Sequence, residues 1–76
     1  MNTQTVTADQ LATFSDEFKG RMFFGKGTKA KGRFVSAERR MNGRKVEVMW
    51  EEATALGSLS AMDFAVGATL RVESAR

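Results

Sequence analysis

The sequence has no cysteine, no histidine, no proline and no tyrosine among its 76 residues. Without cysteine there is no disulfide framework, no thiolate nucleophile and no Cys-based zinc or iron–sulfur site. Without histidine the chain also lacks the commonest general base and the commonest metal ligand. Because these residue types carry most catalysis and metal binding, we expect a protein that is not an enzyme and that holds no cofactor.

Long apolar runs are also missing. The longest are triplets such as Met22-Phe23-Phe24, which are far too short to span a membrane. The first ten residues show neither the basic region nor the apolar region of a signal peptide. A cytoplasmic protein is therefore the expectation.

The size and composition predict one small globular domain over residues 1–76. The chain is 42% apolar and 28% charged, an ordinary globular balance. At this length about 60% of the surface of the unfolded chain becomes buried on folding. That leaves a small core and no room for a deep pocket beside it.

Charge is the most uneven property of the chain. Residues 1–18 carry three acids and no base, residues 19–45 carry ten bases and one acid, and residues 46–76 carry two bases and five acids. The three blocks therefore have net charges of −3, +9 and −3. Segregation of this kind is the main indication of function.

The first predicted element is an N-terminal helix over about residues 8–19. Thr7 and Gln10 have the spacing of a capping box, and Asp9 lies in the first turn, where the helix dipole favours an acid. Apolar residues then recur at spacings of three and four, on one helix face: Leu11, Phe14 and Phe18.

The middle of the chain predicts a β-hairpin over about residues 33–52 with a two-residue turn at 42–43. Asn-Gly is the preferred pair for such a turn, because both positions need a positive φ. The turn sets a register with Ala37 opposite Val48 and Val35 opposite Trp50, which places apolar residues on one face.

The C-terminal part predicts a half-buried strand over about residues 68–74, because apolar and polar residues alternate there. Residues 21–24 and 58–61 are candidates for further strands, and the Ser60–Asp63 spacing favours a helical turn. The fold class expected is α+β: an N-terminal helix packed on a small, strongly bent antiparallel sheet or SH3/OB-like β-barrel, with a central β-hairpin.

The basic glycine-rich loop 25–32 is the first candidate binding segment. Its lysines are Lys26, Lys29 and Lys31, and Phe23, Phe24 and Phe34 flank it. Lysines and free backbone amides suit phosphate contacts, and exposed phenylalanines stack on unpaired bases. The alternative is a solvated connector with core phenylalanines. The loop lacks the spacing of a P-loop.

The hairpin tip, residues 39–45, is the second candidate. Its bases are Arg39, Arg40, Arg44 and Lys45, and Arg33 lies earlier on the first strand of the hairpin. A basic two-stranded ribbon fits the DNA major groove. The alternative is a hairpin edge that charge keeps soluble.

Together these features predict a small non-enzymatic nucleic-acid-binding module that makes mainly phosphate contacts through segment 19–45. The alternative is an accessory or inhibitor protein that docks this basic face on an acidic or nucleic-acid-binding site of another protein. A thin core also fits a subunit that oligomerises, so a monomer and a small homo-oligomer both remain open. The sequence predicts no membrane partner and does not distinguish DNA from RNA.

Overall fold

The computed structural model describes residues 2–74, which form one antiparallel sheet and two short helices. The elements are β1 Thr3–Thr7, α1 Ala8–Thr13, α2 Ser15–Phe18, β2 Met22–Gly25, β3 Gly32–Arg40, β4 Lys45–Glu52, β5 Leu59–Ala65 and β6 Thr69–Glu73. The strand order is β1-β6-β2-β3-β4-β5, and every neighbouring pair is antiparallel.

A small α+β domain with a central hairpin is therefore what the chain forms. Of the two expected alternatives, an antiparallel sheet or an SH3/OB-like barrel, the closed barrel is wrong, because the sheet does not close within residues 2–74. β1 and β5 remain its two edges, and no ladder joins them. The helices pack mainly against β3 and contribute Ala8, Leu11 and Phe18 to the core.

The predicted helix over 8–19 is two helices with a break at Phe14. The capping box is confirmed, since Gln10 N donates to the Thr7 hydroxyl and Thr7 N donates to the Gln10 side chain. Phe14 leaves helical geometry at φ −115° and ψ 35°, and its side chain is 50% exposed. The break removes Phe14 from the stripe that buries Leu11 and Phe18.

The hairpin forms, but its predicted register holds for only part of its length. Arg40 lies opposite Lys45 and Ala37 opposite Val48, as expected. A β-bulge between Phe34 and Ser36 then places Phe34, not Val35, opposite Trp50. Because a bulge adds one residue to one strand, the core position passes to Phe34, which is fully buried.

The turn is longer than two residues. Strand pairing ends at Arg40 and Lys45, which leaves residues 41–44 as the connection. Asn42 and Gly43 have the positive φ that Asn-Gly predicts, at 57° and 83°, but Met41 also has a positive φ, at 54°.

Three other local predictions change. The helical turn predicted from Ser60 to Asp63 is wrong, because these residues belong to β5 and pair along β4. Ladder hydrogen bonds and the burial of Phe64 outweigh the local capping signal there. The loop predicted over 25–32 spans 26–31, and the last strand is Thr69–Glu73 instead of 68–74.

One hydrophobic core lies between the sheet and the helices. Phe23 is at its centre and packs against three aromatic rings, those of Phe34, Trp50 and Phe64. Phe23 and Phe34 lie just outside the two ends of loop 26–31. Their burial fixes where that loop leaves and rejoins the sheet.

Candidate nucleic-acid interface

Loop 26–31 is held to the sheet at both ends. At its start Gly27 N donates to Phe24 O at 3.3 Å, and at its end Lys31 N donates to Phe23 O at 2.8 Å. Lys31 O accepts from Ala53 N at 3.0 Å, which ties the loop to the segment after β4. The middle residues 28–30 donate no backbone N–H to any residue that the structure describes. The loop is thus anchored while its centre faces solvent.

Arg71 on β6 joins this loop, and sequence reasoning missed it. Its guanidinium lies 5.3 Å from the centroid of the Phe24 ring. It donates to Gly27 O at 3.2 Å and to the Thr3 hydroxyl at 3.0 Å. Arg71 is 44 residues from Gly27 along the chain, so no local pattern signals the contact. The one sequence signal is that Arg71 is the single basic residue of a predicted strand in which apolar and polar residues alternate.

We define the loop cluster as Lys26, Lys29, Lys31 and Arg71. Lys26 and Lys29 are exposed, and Lys31 is half-buried with its Nζ 5.8 Å from the centroid of the Trp50 ring. Within residues 2–74 none of the four forms an ion pair with a carboxylate. The cluster therefore presents four cations without an ion-pair partner in residues 2–74. The nearest acid to Lys31 in the sheet is Glu52, which lies opposite Gly32 and accepts from Trp50 Nε1 at 2.9 Å.

The hairpin tip is different, because two of its arginines have carboxylate partners. Arg39 donates to Asp9 Oδ1 of α1 at 2.8 Å and also to the Thr13 hydroxyl. Arg40 donates to Glu47 Oε1 at 2.8 Å, and the hydrogen bond and charge of Glu47 raise the pKa of Arg40 above its ordinary value. These two side chains connect parts of the fold.

The charges around the tip are balanced overall. Its four bases lie near four carboxylates, which are Asp9, Glu38, Glu47 and Asp63. Arg44 is exposed and Lys45 is half-buried, and neither has a side-chain partner within the described chain. The tip as a whole therefore attracts anions less than its sequence suggests.

The loop cluster and the hairpin tip do not form one surface. Loop 26–31 precedes β3 and the tip follows it, and β3 is nine residues long. At about 3.3 Å per residue the two are separated by roughly 26 Å, close to the longest dimension of the molecule, 32 Å. Of the ten bases in segment 19–45, three therefore lie in the loop at one end of β3 and four in the tip at the other end.

Arg33 belongs to neither group. It donates to Gly20 O at 3.0 Å, and it lies opposite Glu51 in the sheet. It also lines a shallow cavity of about 160 Å³, whose other lining residues are Met22, Glu51, Glu52, Ala53 and Leu56. Two carboxylates in this lining make the cavity unsuitable for a phosphate.

The phenylalanines beside the loop are core residues. Phe23 and Phe34 are fully buried and Phe24 nearly so. The base-stacking interpretation of these rings is therefore wrong, and the alternative of core phenylalanines is correct. What they contribute to the site is the position of the loop.

The structure is a small antiparallel-sheet domain, and the loop cluster at one end of it forms no ion pair within residues 2–74. Comparisons with protein-family models, curated proteins and solved structures gave no match to this chain. Neither helix between residues 2 and 74 has the length and apolarity needed to cross a membrane.

Proposed function

We propose that this protein is a small non-enzymatic nucleic-acid-binding module that contacts the phosphate backbone through the loop cluster. The observation that carries the proposal is the set of four cations at one end of the sheet without a carboxylate partner in residues 2–74. Neutralisation of several phosphates by Lys and Arg supplies most of the sequence-independent affinity for nucleic acid.

The geometry of the loop supports phosphate contacts. Arg71 holds the loop through Gly27 O, while Lys26 and Lys29 project from it into solvent. Backbone N–H groups at residues 28–30 add donors that a phosphate oxygen accepts. Small residues in the loop let a nucleic-acid strand approach closely.

The burial of the aromatic side chains supports binding with little preference for particular bases. Among the aromatic side chains of residues 2–74, only Phe14 is substantially exposed. It lies two and three residues before Asp16 and Glu17, whose carboxylates repel phosphate. Since base stacking needs exposed rings in a positive groove, the proposed module contacts phosphates and not base faces.

The test is fluorescence anisotropy of labelled oligonucleotides at about 50, 100 and 200 mM salt. Neutralising about four phosphates predicts a log–log salt slope of about −3 to −4. The variant Lys26→Glu/Lys29→Glu is expected to weaken binding at least about tenfold at the lowest salt concentration.

A matched control carries the same change in charge at the other end of β3. Arg44→Glu/Lys45→Glu alters net charge equally but leaves the loop cluster intact, so we expect it to bind within about threefold of the parent protein. Equal losses in the two variants would reject the loop cluster as the site. No binding by the parent protein at about 50 mM salt would reject the function itself.

A second candidate is an accessory or inhibitor protein that docks on an acidic or nucleic-acid-binding site of another protein. Met41 favours it, because this side chain is 65% exposed at the hairpin tip beside Arg44. Methionine and arginine are both enriched in protein–protein interfaces relative to the rest of the protein surface. This candidate replaces the first if the oligonucleotide titrations show no binding.

A further inference from the structure

The strand β5 has an open outer edge. It pairs with β4 alone, and its backbone groups alternate between β4 and the opposite side. Ser58 O accepts from Glu52 N, and Val66 N donates to Arg44 O, so the even-numbered residues face β4. The N–H and C=O groups of Leu59, Ala61 and Asp63 therefore point outward, where no residue of the described chain pairs with them.

This edge lacks most of the features that usually protect an edge strand, and Asp63 is the one charged residue in it. Proteins block such edges with charged side chains, lysine above all, or with proline, bulges or very short strands. β5 is seven residues long, has no lysine or proline, and pairs with β4 in an unbroken register. Two of its large apolar side chains are also open to solvent, since Leu59 is 58% and Met62 47% exposed, whereas Phe64 is buried in the core.

We propose that the β5 edge binds a second copy of this chain, forming an antiparallel two-fold dimer centred on Ala61. In this register Ala61 lies opposite Ala61 of the other copy, and Leu59 lies opposite Asp63. Each of these pairs exchanges two backbone hydrogen bonds. Every outward N–H and C=O of Leu59, Ala61 and Asp63 is thereby satisfied, and the two sheets become continuous.

The two-fold registers centred on Asp63 and on Met62 fit less well. Centring on Asp63 puts two carboxylates directly opposite each other, which is unfavourable. Centring on Met62 brings in Ala65, whose carbonyl already accepts from Ala68 N at 3.0 Å. The register centred on Ala61 uses only backbone groups that have no partner within the described chain, and it keeps the two Asp63 carboxylates apart.

The self-complementarity of the edge makes a second copy its occupant. An isologous interface requires one surface patch to match itself under a two-fold rotation. The strand centred on Ala61 meets this requirement for hydrogen bonds, and its one charged residue, Asp63, lies opposite the neutral Leu59 of the other copy. Met62 faces the core side of the sheet with Val48. In the dimer it lies opposite Ser60 of the other copy and diagonal to the second Met62, so its exposed surface is covered.

Substitutions at Leu59 test the register, because Leu59 lies opposite Asp63 of the other copy. The parent protein should sediment as a concentration-dependent monomer–dimer mixture. Leu59→Lys places a cation opposite each Asp63 and should keep or strengthen the dimer, whereas Leu59→Asp should weaken it about tenfold or more, since the effect occurs twice. Leu59 is exposed, so both variants should fold, and far-UV circular dichroism checks this.

Single cysteines provide a second test in a chain that has no cysteine of its own. Hydrogen-bonded partners in an antiparallel pair have Cα atoms about 5.5 Å apart, within the range of a disulfide. Ala61→Cys should therefore form a covalent dimer under mild oxidation. The control Ala65→Cys should not, because the two Ala65 positions are about 26 Å apart in this register.

A parent protein that stays monomeric across the concentration range would overturn the proposal. Equal cross-linking of the two cysteine variants, or equal dissociation constants for the Leu59→Lys and Leu59→Asp variants, would also overturn it. None of these outcomes depends on whether the loop cluster binds nucleic acid.

Discussion

Gly32, the first residue of β3, has no space for a side chain. A Cβ built there would lie 1.7 Å from the carbonyl oxygen of Glu51 and 3.0 Å from the Trp50 ring. The first of these neighbours is backbone of β4, which moves only if the sheet moves. We therefore predict that Gly32→Ala lowers the free energy of unfolding by about 3 kcal/mol or more, measured by urea denaturation.

Gly67→Ala is the matched control at the residue scale. A Cβ at Gly67 meets no atom within 4 Å, and its backbone does not require a positive φ. Its free energy of unfolding should stay within about 0.5 kcal/mol of the parent value. If the two variants unfolded at the same urea concentration, this result would contradict the close contact between Gly32 of β3 and the Glu51 carbonyl.

The hairpin connection stores conformational strain at the scale of a single element. Met41 has a φ of 54°, a region that disfavours residues with a Cβ by about 1–2 kcal/mol. Glycine removes that penalty but loses more chain entropy on folding than methionine does. The net effect of Met41→Gly should be a free energy of unfolding higher by about 1 kcal/mol. Gly43→Ala, at φ 83°, should lower it by about 1 kcal/mol. Thermal unfolding of the two variants measures both signs, and a destabilised Met41→Gly variant would contradict the left-handed conformation.

Local signals predicted an element from the sequence where no distant contact competes with them. The capping box of Thr7 and Gln10 forms as predicted, and Asn42-Gly43 marks the position of the turn although the connection is longer than two residues. The capping signal from Ser60 to Asp63 fails because pairing with β4 overrides it. The bulge at Val35 depends on how Phe34 packs against Phe23 and opposite Trp50. The sequence of β1 shows little alternation of apolar and polar residues. This strand forms because β6, from the other end of the chain, pairs with it.

At the scale of the whole molecule, the candidate site also depends on contacts between residues that are distant in the sequence. The basic block 19–45 is visible in the sequence, and its lysines at 26, 29 and 31 remain together in space. Its arginines at the tip do not join them, because β3 separates the two groups and distant carboxylates such as Asp9 approach the tip. Arg71, in contrast, is distant from the loop in sequence but close to it in space, because β6 pairs with β2.

Arg71 therefore links three distant parts of the chain, through Thr3 in β1, Gly27 in the loop and its own strand β6. Arg71→Met and Lys26→Met remove the same charge, and each should reduce the magnitude of the salt slope of oligonucleotide binding by about one. Only Arg71→Met also releases the loop, so only this variant should be cut faster by trypsin after Lys29 than the parent protein. Equal rates of cleavage in the two variants would show that Arg71 supplies charge to the loop cluster without holding the loop in place.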